Sequence, residues 1–408
     1  MRAGKQPRTG GAAQITPAAW RVAVVGMLAI MAGLGFGRFS YTMLLPSTKE
    51  GLEISYTAAG FLGTANLAGY LAGSLASAAI MHRLGPPAAA TSGLIVLAIG
   101  LGWMGAASGL VDAALARTLA GMAGALVYVQ ALGLIAAWFP GQSRGLASGI
   151  MHSGNGLGLV LTGLGLPFVV SSAPNGWRTS WALLGIATLI VAPLAWFYLR
   201  LPNAEPPTEE TTARIPSGET RGMPVTEYGI LYAVFGLSYV IYVTFFAEIL
   251  RSLGLPLFNT GLVWAGVGGL SLMSGALAGT LSDQLGRRRG LAVLFGLQAV
   301  SYIALLQGGG WLLFVSTGLF GITAWGIPAI MAAAMSDIGR AEDALAAFGR
   351  ITAVMGIGQA AGPVLAGTLT DFTGAVESGL WISISAAGCA VAWLLLRITL
   401  EHNASPEQ

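Results

Sequence analysis

The chain has 408 residues, 55% of them hydrophobic and only 9% charged, with a mean hydropathy of +0.73. Soluble domains carry about 25% charged residues, so a soluble globular protein is excluded. The net charge of +3 would suit nucleic acid only if the basic residues clustered on one soluble face, and the lone cysteine, Cys389, excludes an internal disulfide and a cysteine-built metal site.

A membrane-spanning helix needs about 20 mainly apolar residues. Twelve such runs can be drawn: 20–46, 54–81, 87–107, 110–139, 146–171 and 177–200, then 227–251, 257–281, 290–307, 310–335, 345–371 and 378–400. The polar leader is followed by an apolar run too long for a signal-peptide core, so the first helix is expected to stay in the mature protein. Residues 201–226, LPNAEPPTEETTARIPSGETRGMPVT, have too little apolar surface to fold alone and read as a cytoplasmic linker. The expected architecture is an all-α integral membrane protein with two pseudo-symmetric six-helix bundles. Residues 1–200 form the first half and 227–408 the second.

Lysine and arginine accumulate in cytoplasmic loops of membrane proteins. With both termini inside, fifteen of the twenty lie on the cytoplasmic side, Lys49, Arg178 and Arg251 lie outside, and Arg38 and Arg117 fall within spans. The basic balance is therefore topology, and no nucleic-acid partner is expected.

Shifted by about half its length, the chain matches itself twice. GIMHSGNGLG at 149–158 overlays GRITAVMGIG at 349–358, and the tetrad from His82 to Gly85 overlays that from Asp283 to Gly286. The near-equal offsets point to two parallel six-helix repeats.

Three segments carry a family resemblance. Gly279-Thr-Leu-Ser-Asp283-Gln-Leu-Gly286-Arg-Arg-Arg resembles the signature loop of the major facilitator superfamily in its second-half copy. Arg117-Thr-Leu-Ala-Gly121-Met-Ala-Gly124 resembles that superfamily's fourth-helix motif. Gly358-Gln-Ala-Ala-Gly362-Pro363 is similar to its glycine-proline motif, though on the eleventh helix rather than the fifth. Within the superfamily, Gly33-Leu-Gly-Phe-Gly-Arg38-Phe-Ser-Tyr41 resembles the YbfB/YjiJ-type bacterial permeases. The resemblance implies a single-chain transporter in the inner membrane, multi-pass and monomeric, but names no substrate. His82 stands where the first signature loop would have its aspartate and reads as an exposed loop histidine or a pH sensor. Asp283 is expected either to gate by facing Arg144 at the start of the fifth helix or to sit in a merely solvated loop.

Buried charge inside a span costs roughly 2.5 to 3.5 kcal/mol on insertion scales and is a functional lead by default. Arg38 and Arg117 lie at similar depth, about 10 to 12 Å from the outer helix ends. Two guanidinium forks at one level suit a small organic anion. The alternatives are a structural pair of Arg38 with an acid such as Asp112, and a packing role for Arg117. Polar faces add Tyr41, Asn66, Tyr70, Tyr128, His152 and Asn155 as cavity-lining candidates, each alternatively an interhelical hydrogen bond. His152 is also a candidate for proton coupling. The second half offers Tyr239, Tyr242, Trp264, Gln298, Tyr302, Trp325 and Gln359, the aromatics among them alternatively interfacial anchors near helix ends. Glu248 is a coupling candidate that can instead pair with Arg251.

The expected function is a secondary transporter moving a small organic anion by alternating access, with protons as the coupling partner. Export of amphipathic drugs is the alternative within transport. A membrane enzyme or receptor would need clustered catalytic groups, and none stands out: His82, His152 and His402 are scattered, with no nucleophile–base or metal-ligand spacing. No Walker motif, cofactor site or metal site is expected.

Overall fold

The computed structural model describes residues 16–139, 143–202, 223–338 and 341–404. Among these residues the regular structure is helical, arranged as twelve long helices. The first six are α1 (Pro17–Gly51), α2 (Tyr56–Leu84), α3 (Pro86–Ala106), α4 (Leu110–Trp138), α5 (Ser143–Ser171) and α6 (Gly176–Tyr198). The last six are α7 (Val225–Ser252), α8 (Leu257–Leu285), α9 (Arg287–Gln307), α10 (Gly310–Ser336), α11 (Ala341–Thr373) and α12 (Gly379–Ala404). Eleven are long and apolar enough to cross a bilayer. The other, α2, has 29 residues, but its glycines, Thr64, Asn66, Ser74 and Ser77 dilute its hydropathy.

Several sequence-based limits need correction. α1 runs past Pro46 to Gly51; proline forfeits one helical bond, yet Ser40 to Pro46 are all buried, so packing holds these turns. α2 and α8 run on to Leu84 and Leu285, which puts His82 and Asp283 in final helical turns instead of loops. Both helices stop at a glycine in the left-handed region, Gly85 at φ 75° and Gly286 at φ 86°, a conformation that strains any residue with a Cβ. α2 and α8 each have 29 residues, and α3 and α9 each have 21, in keeping with the sequence repeat. α10 breaks at Ala324 and Trp325, because Pro328, one turn later, has no N–H to give the Ala324 carbonyl. The linker is outside the described residues except at its two ends.

Within the first six helices, α2 packs on α4, α3 on α6, and α1 on α4, α5 and α6; in the last six, α7 packs on α11 and α9 on α12. Small residues permit the closest approaches. A methyl built on Gly35 would lie 2.7 Å from Gly158 Cα, so α1 and α5 meet backbone to backbone.

The two sets join along α2–α11, α5–α8 and the C-terminal part of α1 (Ser40–Gly51) against α7. The end of the bundle opposite the termini is closed. There Asp371 of α11 accepts from the backbone N–H groups of Tyr56 and Thr57 (3.0 and 2.8 Å) and from the Thr57 hydroxyl (2.6 Å). Arg251 bonds Glu50, and the Tyr56 hydroxyl donates to Glu248 Oε1 at 2.7 Å. On the other seam, Phe168 and Phe258 meet edge to face at 5.2 Å.

Candidate functional site

The middle of α1 is unusual. Met31–Phe39 winds as a π-helix, with the Ser40 N–H reaching back to the Gly35 carbonyl. π-Helical turns loosen the backbone ladder and recur at functional sites. This stretch, MAGLGFGRF, carries Arg38, and its Gly37 carbonyl accepts from side chains. Arg117 Nη1 donates to that carbonyl at 2.8 Å, and Asn66 Nδ2 reaches it at 3.4 Å while also donating to the Arg117 carbonyl at 3.0 Å. Arg117 Nε reaches the Leu62 carbonyl at 3.5 Å. Its guanidinium lies 4.5 Å from the Tyr41 ring centroid and 5.6 Å from that of Trp181. With 2% of its surface exposed, Arg117 is committed to the fold around the π-helix. Tyr41 is anchored too, its hydroxyl donating to the Ala59 carbonyl at 2.8 Å.

Arg38 points across the bundle. Its Nη2 donates to the Tyr239 hydroxyl of α7 at 2.5 Å, and Gln359 Nε2 of α11 donates to the same oxygen at 2.8 Å. Tyr239 thereby takes two donors, leaving its own O–H directed elsewhere. Aromatic rings surround the guanidinium: Phe39, Tyr70 and Tyr239 have centroids 5.4, 5.8 and 6.0 Å from its carbon. Trp325, held at the α10 break by its backbone N–H bond to Ser274 Oγ, packs 5.4 Å from Phe39 and 6.3 Å from Tyr239, its buried indole N–H without a partner among the described residues. No carboxylate among the described residues pairs with Arg38. Asp112 is instead occupied by the Trp103 indole at 2.5 Å and the Ser108 N–H at 2.9 Å. A cavity of about 20 Å³ lined by Arg38, Tyr41, Asn66, Arg117 and Thr244 sits here, room for about one water.

Tyr70 links this centre to Tyr128, whose ring lies 6.5 Å away and whose hydroxyl is 3.0 Å from His152 Nε2. Asn155 is buried on the same helix as His152, its side-chain oxygen without a partner among the described residues. The structure thus brings together Arg38, Tyr70, Tyr128, His152, Tyr239, Trp325 and Gln359, with Tyr41, Asn66 and Arg117 behind the π-helix.

Other sequence candidates lie apart. Tyr242 is stacked 4.0 Å from Phe320, with its hydroxyl 3.0 Å from Ser316 Oγ. Tyr302 bonds Gln298 at 3.2 Å, and Trp264 is fully buried beside Phe246. Glu248 belongs to the closed end, 6% exposed, bonded to Tyr56 and 3.9 Å from Arg251. Asp283 is paired with Arg287, which also binds Asp337. The Arg144 side chain lies outside the described residues.

The sequence reading missed Phe39, Tyr56 and Asp371. An acid at the end of the eleventh span and a Ser-Tyr-Thr helix start were visible signals; their pairing across 314 residues was not.

The family model described as "Uncharacterised MFS-type transporter YbfB" matches residues 30–397. The chain belongs to this family. This YbfB-family member is thus a multi-pass membrane transporter of the major facilitator superfamily and not an enzyme. It is 26% identical over 373 residues to monocarboxylate transporter 11 of Mus musculus, covering 87% of this chain and 82% of that one. Identity is also 26% over 307 residues to the oxalate:formate antiporter of Oxalobacter formigenes, covering 72% and 70%. A bacterial homologue of the human lysosomal transporter Spinster, inward-facing and unoccupied, superposes with a TM-score of 0.72 at 15% identity, over 93% of this chain and 95% of that one. A point mutant of the nucleoside transporter NupG also gives 0.72, at 11% identity, over 93% and 99%. At such identities these structures speak to the fold alone.

Proposed function

We propose that the protein moves a small organic anion by alternating access, with Arg38 as the countercharge of the solute. The carrying observation is a cation at the seam between the two sets of six helices that has a hydroxyl partner but, among the described residues, no carboxylate. An uncompensated charge inside the bilayer is costly, and a carboxylate-bearing solute supplies what is missing. Two relatives are named for monocarboxylates and for oxalate and formate, which favours this solute class.

Residues 1–200 and 227–408 act as the two moving bodies, with 201–226 joining them. With the termini in the cytoplasm of a bacterial cell, as the basic residues favour, the closed end faces outward. The cavity of about 20 Å³ at Arg38 is too small for a solute, so the bodies must part there before the anion enters. A monomer contains every group this cycle uses.

The test is the melting temperature of the purified protein against formate, benzoate and oxalate and against lipophilic cations, with Arg38→Gln alongside. Stabilisation by an anion, lost in a folded Arg38→Gln, supports the reading. Stabilisation by lipophilic cations alone would favour the second reading, a drug exporter, for which the rings of Phe39, Tyr70, Tyr239 and Trp325 would form the cavity wall.

A further inference from the structure

His152 is held in a way that singles out one of its nitrogens. Nδ1 is 2.8 Å from the Ser148 carbonyl one turn earlier on α5. A carbonyl only accepts, and the Ser148 hydroxyl 3.3 Å from the same nitrogen can accept as well, so the closer carbonyl contact favours a proton on Nδ1 whether the ring is neutral or charged. Nε2, 3.0 Å from the Tyr128 hydroxyl, is then the lone-pair nitrogen that accepts from Tyr128 in the neutral ring. Taking up a proton changes this side alone: Nε2 becomes a donor, and the Tyr128 hydroxyl turns to accept.

Two rings separate this imidazole from the site cation. Tyr128 lies 6.5 Å from Tyr70, and Tyr70 lies 5.8 Å from the Arg38 guanidinium. Each element packed on α5 contributes its own charges. α1 brings Arg38 here, with Arg21, Lys49 and Glu50 near its ends. α4 brings Arg117, committed to the Gly37 carbonyl, and Asp112, committed to Trp103 and Ser108. α6 brings Arg178, bound to the carbonyls of Gly105 and Ala107, and α8 brings Asp283, paired with Arg287. Arg38 is thus the nearest charge along the ring path, and both it and an imidazolium are positive. An anion at Arg38 cancels the repulsion, so anion and proton favour one another's binding, a reciprocal linkage.

We propose that His152 Nε2 binds a proton that travels with the anion held at Arg38, making the protein an anion–proton symporter. The proton comes from water on one side, forms an N–H bond at the Nε2 lone pair, and returns to water on the other side. Tyr128 keeps its own proton throughout. This rests on the anion reading above.

The experiment follows apparent affinities for formate, benzoate and oxalate, each ionised throughout the range, by thermal shift of the purified full chain from pH 5.5 to 8. Wild-type affinity for a bound acid should rise about tenfold per unit of falling pH where one proton accompanies one anion. His152→Gln keeps a partner for Tyr128 but cannot titrate, and should bind with a flat profile at the weak, high-pH level. Tyr128→Phe keeps the imidazole and should displace the midpoint of the profile. A wild-type slope surviving in His152→Gln, an unmoved midpoint in Tyr128→Phe, or a flat wild-type profile with Arg38-dependent binding overturns the proton site and leaves the anion reading standing. No stabilisation of the wild type by any of the three acids at any pH removes both.

Discussion

Arg117 on α4 donates a 2.8 Å hydrogen bond to the carbonyl of Gly37 on α1. Gly37 is the residue before Arg38, so one buried arginine holds the backbone turn that aims another. Two arginines that look alike in sequence thereby divide the work: one braces the π-helix, and the other faces the seam.

Substituting Arg117 should therefore damage stability and binding together. Arg117→Gln leaves the buried Gly37 carbonyl short of a donor at a cost of about 1 to 3 kcal/mol, lowering the melting temperature of the ligand-free protein as well as the shift produced by an anion. Arg117→Lys cannot reach both the Gly37 and Leu62 carbonyls with a fixed fork and should fall between. Arg38→Gln should lose only the ligand-induced shift. If Arg117→Gln melts like wild type and loses only the anion response, Arg117 is instead a solute contact.

Tyr239→Phe removes the oxygen shared by Arg38 and Gln359. A hydrogen bond to a charged group is worth about 1.5 to 3 kcal/mol, so anion affinity should drop about tenfold or more, while the ring keeps its packing on Phe235 at 4.7 Å. Titration of the two proteins with the same acid gives the ratio directly, and equal affinities would place Tyr239 outside the site.

Asp371 caps the start of α2 from α11. A carboxylate cap contributes about 1 kcal/mol, here only while this end is closed, so Asp371→Ala should raise the open population about fivefold. A reporter is Thr64→Cys in a Cys389→Ser background, since Thr64 is tucked into the same seam by its 2.6 Å bond to the Ala360 carbonyl. Faster labelling by a membrane-impermeant maleimide is expected, and an unchanged rate would show that Asp371 does not hold the end shut.

Gly35→Ala should cost about 1 to 3 kcal/mol of stability by overpacking, because the new methyl meets Gly158 Cα at 2.7 Å. Thermal melts of Gly35→Ala and Gly158→Ala would show the penalty on both sides of one contact. Wild-type melting in both would mean α1 and α5 can separate without loss.

The sequence by itself determined the twelve apolar runs and the presence of Arg38 and Arg117 inside spans. Hydropathy and charge act locally and can be counted along a chain. They also conveyed the repeat, because the Leu-Gly turns after α2 and α8 are short-range signals.

Tertiary structure decided which polar groups are spent and which are left over. Arg117 and Arg38 have the same chemistry, yet only packing revealed that the first is stacked on Tyr41 and Trp181 while the second meets a hydroxyl from a helix 201 residues away. Tyr242, Tyr302 and Gln298 were equally good cavity candidates in sequence but pair with one another and with Ser316, leaving only the Gln298 Nε2 without a partner among the described residues. The π-helix was equally out of reach, and so was the meeting of donors from α2 and α4 at its Gly37 carbonyl. Helical spacing places a side chain on a face; only the neighbouring helices determine whether that face meets lipid, protein or solute.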